Sequence, residues 1–262
     1  MKWNSLTNFI VYAHEDYERM MKLTYEEFYD DFYQHGGWKR DSQYPFRYIR
    51  SLSKIFALPT SLAATKFALD IGCGLGEFSE CLAATGFEDV VGIDFSNKAI
   101  EMCKKNPSKS NRTHYICTDF FQYDFGDRKF DFIFATGFSP FSTLNFQQVE
   151  RILRRLRSLV HQNSSIAVCI PNNGRSGGKS WCSWSVDEIE HVRKLALRYY
   201  ENVDMHFFTR VARPRWPVFK FNRFINYLLR LVCWVTDKSV VLCIVLRPGP
   251  IGQNELTQCC LT

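Results

Sequence analysis

The chain has 262 residues, of which 46% are hydrophobic and 23% charged, a balance that supports a sizeable core and excludes global disorder. Its formal net charge of +6 is uneven, with −4 on residues 1–38 and +10 on residues 39–262. The 10 cysteines are scattered without a C-x-x-C pair, which speaks against zinc, predicts no metal site, and points to free thiols in a reducing, cytoplasmic compartment.

Residues 1–60 read as an N-terminal helical lid. Residues 14–35 predict an acidic, aromatic helix, Gly36-Gly37 a hinge, and residues 45–57 a second helix. The apolar stretch Phe9 to Ala13 is too short for a signal peptide and is followed by an acidic run. FYDDFYQHGGWKRDSQYPFRYI is rich in Tyr, Phe and Trp, as suits a segment that closes over a ligand. His35, beside the hinge, is the candidate base; a solvated or core histidine is the alternative.

Residues 61–250 read as the main domain. Strands are predicted at 67–71, 89–93, 113–117, 130–135 and 165–170, with helices at 76–85, 96–105 and 145–161 between them. Short apolar strands alternating with helices predict an α/β fold: a doubly wound, mostly parallel sheet with helices on both faces. After the polar loop Pro171 to Lys179 comes a helix at 185–198, opened by a capping box of Ser185 and Glu188. Strands near 202–211 and 239–246 bring the sheet to seven.

An inserted basic amphipathic helix is predicted at 218–235. Met205 to Arg230 holds six bases and no acid, interleaved with aromatic residues, and Lys220, Arg223 and Arg230 fall broadly on one stripe. Arg230 breaks the apolar run well short of the roughly 18 residues a membrane span needs, so no transmembrane segment is expected. The 205–230 segment has four readings: a helix packed on the sheet edge, a lid over a hydrophobic acceptor, a contact with anionic lipid, or an RNA face. Residues 251–262 read as a flexible tail, in which Cys259-Cys260-Leu261-Thr262 matches a prenylation pattern only loosely because Thr is an atypical last residue.

The chemistry concentrates in ALDIGCGLGEFS, residues 68–79, where Gly72, Gly74 and Gly76 follow a buried strand and precede a helix. Such a turn leaves backbone free for a nucleotide-like ligand. The dinucleotide fingerprint would need glycine at 77, where Glu77 stands, and no G-K-[ST] follows, so NAD and ATP are disfavoured. Asp70 beside the turn would repel a pyrophosphate but suits the ammonium of an amino-acid moiety. VVGIDFS ends its strand at Asp94, whose carboxylate can accept from both hydroxyls of a ribose. In CTDFF, Asp119 can accept from an adenine amino group while Phe120 or Phe121 covers a ring face; the alternative is that Asp119 caps the following turn.

LDIGCGLG, VVGIDFS, CTDFF and FDFIFATGFSPF together resemble the motifs of class I S-adenosylmethionine-dependent methyltransferases, of the small-molecule type. The resemblance implies S-adenosylmethionine as cofactor and S-adenosylhomocysteine as product. It assigns Gly72, Gly74 and Gly76 to the methionine and ribose, Asp70 to the amino group and Asp94 to the ribose, with Phe95 as a further cofactor-binding residue. It further assigns Asp119 and Phe120 to the adenine, and Thr136 and Gly137 to the methionine end beside the acceptor. Related small-molecule enzymes supply an arginine to the methionine carboxylate, and Arg47 is the candidate, with Arg40 or Arg50 as alternatives.

Methyl transfer from a sulfonium needs alignment and exclusion of water more than a dedicated triad. Neither an Asn-Pro-Pro-Tyr segment after strand four nor a Pro-Cys dipeptide is present, which removes the clearest signatures of nucleic-acid base methylation. The expected function is methylation of oxygen or nitrogen on a small-molecule, sugar-linked or lipid-linked acceptor. The rivals are an RNA methyltransferase that uses the basic 205–230 face and a catalytically silent methyltransferase-like binding subunit.

Overall fold

The apolar runs of the sequence pair as a sheet in the computed structural model, which describes residues 25–34, 67–105, 111–172, 184–209, 219–220 and 240–249. β1 (Phe67–Ile71), β2 (Asp89–Asp94), β3 (Thr113–Cys117), β4 (Phe130–Thr136) and β5 (Val160–Pro171) run parallel in the spatial order β3-β2-β1-β4-β5. β8 (Val240–Arg247) lies antiparallel beside β5, and β6 (Asn202–Thr209) lies antiparallel beside β8. The seven-stranded, mostly parallel sheet expected from the sequence is present. A two-residue strand, β7 (Phe219–Lys220), adds an eighth at the edge by pairing with His206 and Phe207.

Strand periodicity divides the core into two layers. Leu69, Ile71, Val91, Ile93, Ile133, Ala135, Ile166, Val168, Leu242 and Ile244 point to one face. There they meet Val149, Ile152, Leu153 and Leu156 of α4 (Phe146–Ser158) and Ile189, Val192 and Leu195 of α5 (Val186–Ala196). Ala68, Val90, Phe132, Phe134, Ala167, Cys169 and Cys243 point to the other, against Phe78, Cys81 and Leu82 of α2 (Glu77–Ala84). α3 (Asn97–Lys105) follows β2 and buries Ala99, Ile100 and Cys103. Each helix is set by its sequence: the Asn145 side chain accepts from Gln148 N–H at 3.2 Å to open α4, and Ser185 with Glu188 forms the expected capping box on α5.

Two boundaries differ from the sequence reading. The helix predicted over 145–161 ends at Ser158, because Leu159 N–H turns back to Leu156 O and Val160 pairs with Phe130. β5 therefore begins five residues before the predicted 165, and the ladder shifts between Phe130 and Phe132 to absorb the extra chain. Ser164 holds the irregularity, accepting from His161 N–H at 2.9 Å and donating to Phe130 O at 2.8 Å. The second difference is β7, where pairing with β6 replaces the first turn of the helix predicted at 218–235. The remainder of that helix, the Gly36-Gly37 hinge and the helix at 45–57 lie outside the described residues. The helix predicted over 14–35 is described as α1 (Tyr25–Gln34).

Gly76 opens α2 with φ of 76°, and a Cβ there would collide with the Tyr115 hydroxyl. Gly76→Ala combines left-handed strain with overpacking and should destabilise the fold by about 3 kcal/mol in urea unfolding. A variant within about 0.5 kcal/mol of the parent would contradict this packing.

Candidate active site

The glycine turn sits at the carboxyl end of β1 and is tied to β2 by three hydrogen bonds. Gly72 N–H and Cys73 N–H both donate to Ile93 O, at 2.9 and 3.0 Å, and Gly74 N–H donates to Asp94 Oδ2 at 2.9 Å. The other Asp94 oxygen accepts from Ser96 N–H at 2.9 Å. One carboxylate thus bridges the turns after β1 and β2. Burial raises the Asp94 carboxyl above its ordinary pKa, and the N–H bonds from Ser96 and Gly74 pull the other way. Each carboxylate oxygen keeps a second lone pair, so the bridge is compatible with two further donors.

α1 reaches this edge through Asp30, Tyr29 and Tyr33. Asp30 Oδ1 accepts from the Ser96 hydroxyl and from Lys98 N–H, the latter at 3.2 Å. Ser96 Oγ in turn accepts from Ala99 N–H at 3.1 Å, so Ser96 caps α3 and Asp30 adds a negative charge at the same helix N-terminus. Tyr29 meets Phe95 edge to face at 5.3 Å between centroids. The Tyr33 hydroxyl would lie 2.8 Å from a Cβ built on Gly74, so glycine at 74 makes the room that the phenol takes. Burial is the main cause that pushes the Tyr33 phenol well above its ordinary pKa, with the nearby Asp94 charge next. The sequence reading grouped Asp30 and Tyr33 within the aromatic lid stretch and singled out neither. Their signal is a carboxylate and a tyrosine three residues apart on one helical face.

Asp70 lies under the turn. It occupies the α2 side of β1, fully buried, and pairs in register with Gly92 on β2. A Cβ at Gly92 would stand 2.8 Å from Ser79 Oγ, so this glycine lets the Ser79 hydroxyl reach Asp70 Oδ2, to which it donates at 2.7 Å. Asp70 Oδ1 has no hydrogen-bond partner among the described residues. Burial raises the Asp70 pKa to about 7.

The adenine-side expectations meet a packed arrangement. Asp119 is exposed and accepts from Phe121 N–H at 2.6 Å, while its carbonyl accepts from Gln122 and Tyr123, so it caps the turn after β3. Phe120 is 4% exposed and belongs to the core, with Phe138 edge to face at 5.5 Å and the Arg155 guanidinium 5.2 Å from its centroid. Phe95 is half-buried next to Asp94 and is the ring nearest in sequence to the bridging carboxylate.

Thr136 ends β4, and Gly137 N–H donates to Cys169 O at 2.9 Å, fastening the end of β4 to β5. Beyond it a 3-10 turn, Ser139–Phe141, forms a wall. Gln148 Nε2 donates to Pro140 O at 2.9 Å, Trp184 Nε1 donates to Thr143 O at 2.9 Å, and Phe141 packs on the buried Trp184 ring. His35, Arg47 and most of the 205–230 segment lie outside the described residues.

The edge so built fits an adenosyl amino acid. A Cβ at Gly72 would meet nothing within 4 Å, so open space stands directly over the turn. Asp94 offers unused lone pairs beside it.

Comparisons with known proteins agree with this architecture. Residues 68–163 match the sequence profile of the family described as a methyltransferase domain. Over 91 residues, 32% of the chain, the sequence is 33% identical to the eEF1A lysine and N-terminal methyltransferase of Bos taurus; the chain spans 13% of the length of that relative. Haemonchus contortus Phospholethanolamine N-methyltransferase 2, solved with phosphomonomethylethanolamine and S-adenosylhomocysteine, is similar with a TM-score of 0.57 at 14% identity, over 87% of this chain and 61% of that one. The N-methyltransferase NodS of Bradyrhizobium japonicum WM9, solved with S-adenosylhomocysteine, gives 0.52 at 13% identity, over 91% and 98% of the two chains.

The raised Asp70 carboxyl makes stability pH-dependent with a definite sign. The folded state holds this proton up to about pH 7, whereas an unfolded aspartate releases it near 3.8. The contribution of Asp70 to stability should therefore be full below about pH 4, fall as pH rises towards 7, and level off above it. Asp70→Asn should flatten that window in urea midpoints measured from pH 4 to 8. Parallel profiles for the two proteins would remove Asp70 as the cause.

Proposed function

We propose that this class I S-adenosylmethionine-dependent methyltransferase transfers its methyl group to the nitrogen of an amine-bearing acceptor. The observation that carries the cofactor half is the Asp94 carboxylate, held by Gly74 and Ser96 N–H at the mouth of the glycine turn. The nitrogen preference is supported by the relatives: both solved proteins are N-methyltransferases, and the curated one acts on a lysine and an N-terminus.

When bound, the cofactor supplies a methyl group made electrophilic by the positive sulfur that carries it. The chain's own work is then positional. Asp94 accepts from the ribose hydroxyls, and because its geometry is already fixed by two backbone N–H groups, binding needs little reorganisation. Asp70, buried beneath the turn, would lie near the amino group. Phe95 covers the base, with Tyr29 bracing its edge. Thr136 and Gly137 flank the reacting end, and the wall of Phe138, Ser139 and Phe141, all buried, keeps water from that side. α1, latched through Asp30, closes the β2 side.

The acceptor we favour is a small amine, in keeping with the whole-fold likeness to the Haemonchus contortus and NodS enzymes. The second reading, an amine on a protein, is favoured by the 33% identity to a lysine and N-terminal methyltransferase. Among the described residues no helix is long and apolar enough to cross a membrane.

Titration calorimetry tests the cofactor half: S-adenosylhomocysteine should bind saturably and NAD should not. Asp94→Asn should weaken that binding by about 1.5–3 kcal/mol, since it removes the charge from the acceptor of two hydroxyls. Undiminished affinity in a folded variant would move the ribose elsewhere. Radiolabelled methyl transfer to ethanolamine phosphate and to a lysine peptide with a free N-terminus separates the two acceptor readings.

A further inference from the structure

Asn172 directly follows β5, on the sheet edge that carries Thr136 and Gly137. Thr136 pairs with Cys169 in the parallel ladder, and Gly137 N–H donates to Cys169 O, so the chain just past β5 runs beside the chain just past β4. Asn172 is 1% exposed. Among the described residues, neither its Oδ1 nor its Nδ2 has a hydrogen-bond partner.

A primary carboxamide carries two N–H donors and an acceptor oxygen with two lone pairs. Burying all of it unmatched is strongly unfavourable, and an apolar side chain of the same shape would fill the position without that penalty. The chain leading into it is apolar. Ile170 two residues earlier is fully buried, and Pro171 pairs with Val241 of β8. An unmatched amide at a strand's carboxyl end, beside the methionine end proposed for the cofactor, is a group waiting for a ligand.

We infer that the Asn172 carboxamide binds the methyl acceptor, taking an N–H of a primary or secondary amine on Oδ1 and giving Nδ2–H to an oxygen elsewhere on the same molecule. The chemical class rests on the amine reading above; the placement of Asn172 does not. A neutral amide suits the uncharged amine, which is the form with a lone pair to attack carbon. Binding one N–H leaves that lone pair to be aimed by the rest of the wall. A tertiary amine has no N–H to give and loses this contact, so Asn172 favours the earlier methylations of a nitrogen over the last.

Asn172→Leu, with Asn172→Ser as a second variant, tests this in the full-length protein. The ligand-free Asn172→Leu protein should melt at least about 2 °C above the parent, because an unmatched buried amide is gone. KM for the methylated probe, ethanolamine phosphate or the lysine peptide with a free N-terminus, should rise at least tenfold in both variants. Calorimetric affinity for S-adenosylhomocysteine should stay within twofold. A fall in melting temperature of Asn172→Leu would show that the carboxamide is already bonded in the fold, and overturns the inference. So would an unchanged KM, or a loss of S-adenosylhomocysteine affinity, which would give Asn172 to the cofactor. If the parent methylates neither probe, the amine reading fails separately, and the melting temperature alone decides Asn172.

Discussion

The site depends on the bond pair at Asp94. Two N–H groups, from Gly74 on the β1 turn and Ser96 on the β2 turn, converge on one buried carboxylate. Without it, two adjacent strand ends would each present a buried, unpaired donor. With it, the turns move as one piece, and Ser96 extends the network through Asp30 to α1. The bridge explains why an acid tolerates near-complete burial here: its backbone bonds offset a good part of the desolvation that raises its pKa.

The fold was largely readable from the sequence because both of its signals are local. Apolar runs such as FALDI and FIFAT announce buried strands, and the Asn145 and Ser185 caps mark helix starts. The misread boundaries are those where tertiary pairing competes with local pattern. HQNSS looks like a loop by composition, yet Ser164 reaches across to Phe130 O and stitches it into β5. Phe219 and Lys220 fit an amphipathic helix by periodicity, yet their backbone pairs with β6.

At the candidate site, the sequence put the acids at strand ends but did not show the direction of every side chain. Asp70 and Asp94 share the α2 face of the sheet by strand parity, and both are buried. Asp70 is turned to Ser79 because Gly92 opposite has no side chain to block it, a relation between three elements that no linear spacing reveals. Asp119 could be read as either ligand or cap; in the fold it caps the turn through Oδ1, and its exposed carboxylate keeps lone pairs for a further donor. Phe120 shares its surroundings with Phe138 and Arg155, partners that lie 18 and 35 positions away. Asn172 carried no signal at all, since an asparagine in a polar stretch after a strand is ordinary until its burial is known.

The position of β8 has a consequence for how the chain is made. It is the last strand synthesised of the eight, yet it fills an interior place between β5 and β6. While the ribosome is still adding residues up to 247, β3-β2-β1-β4-β5 can assemble, with the Asp94 bridge already inside it, but β5 ends in an open edge and β6, paired only with β7, has no strand to join it to the sheet. That edge, Ile166 to Ile170, is apolar and β-prone, the kind of segment that pairs with other chains when left uncovered. The β5 edge therefore stays uncovered until VVLCIVLR is made, and that one strand both closes the edge and joins β6 to the sheet.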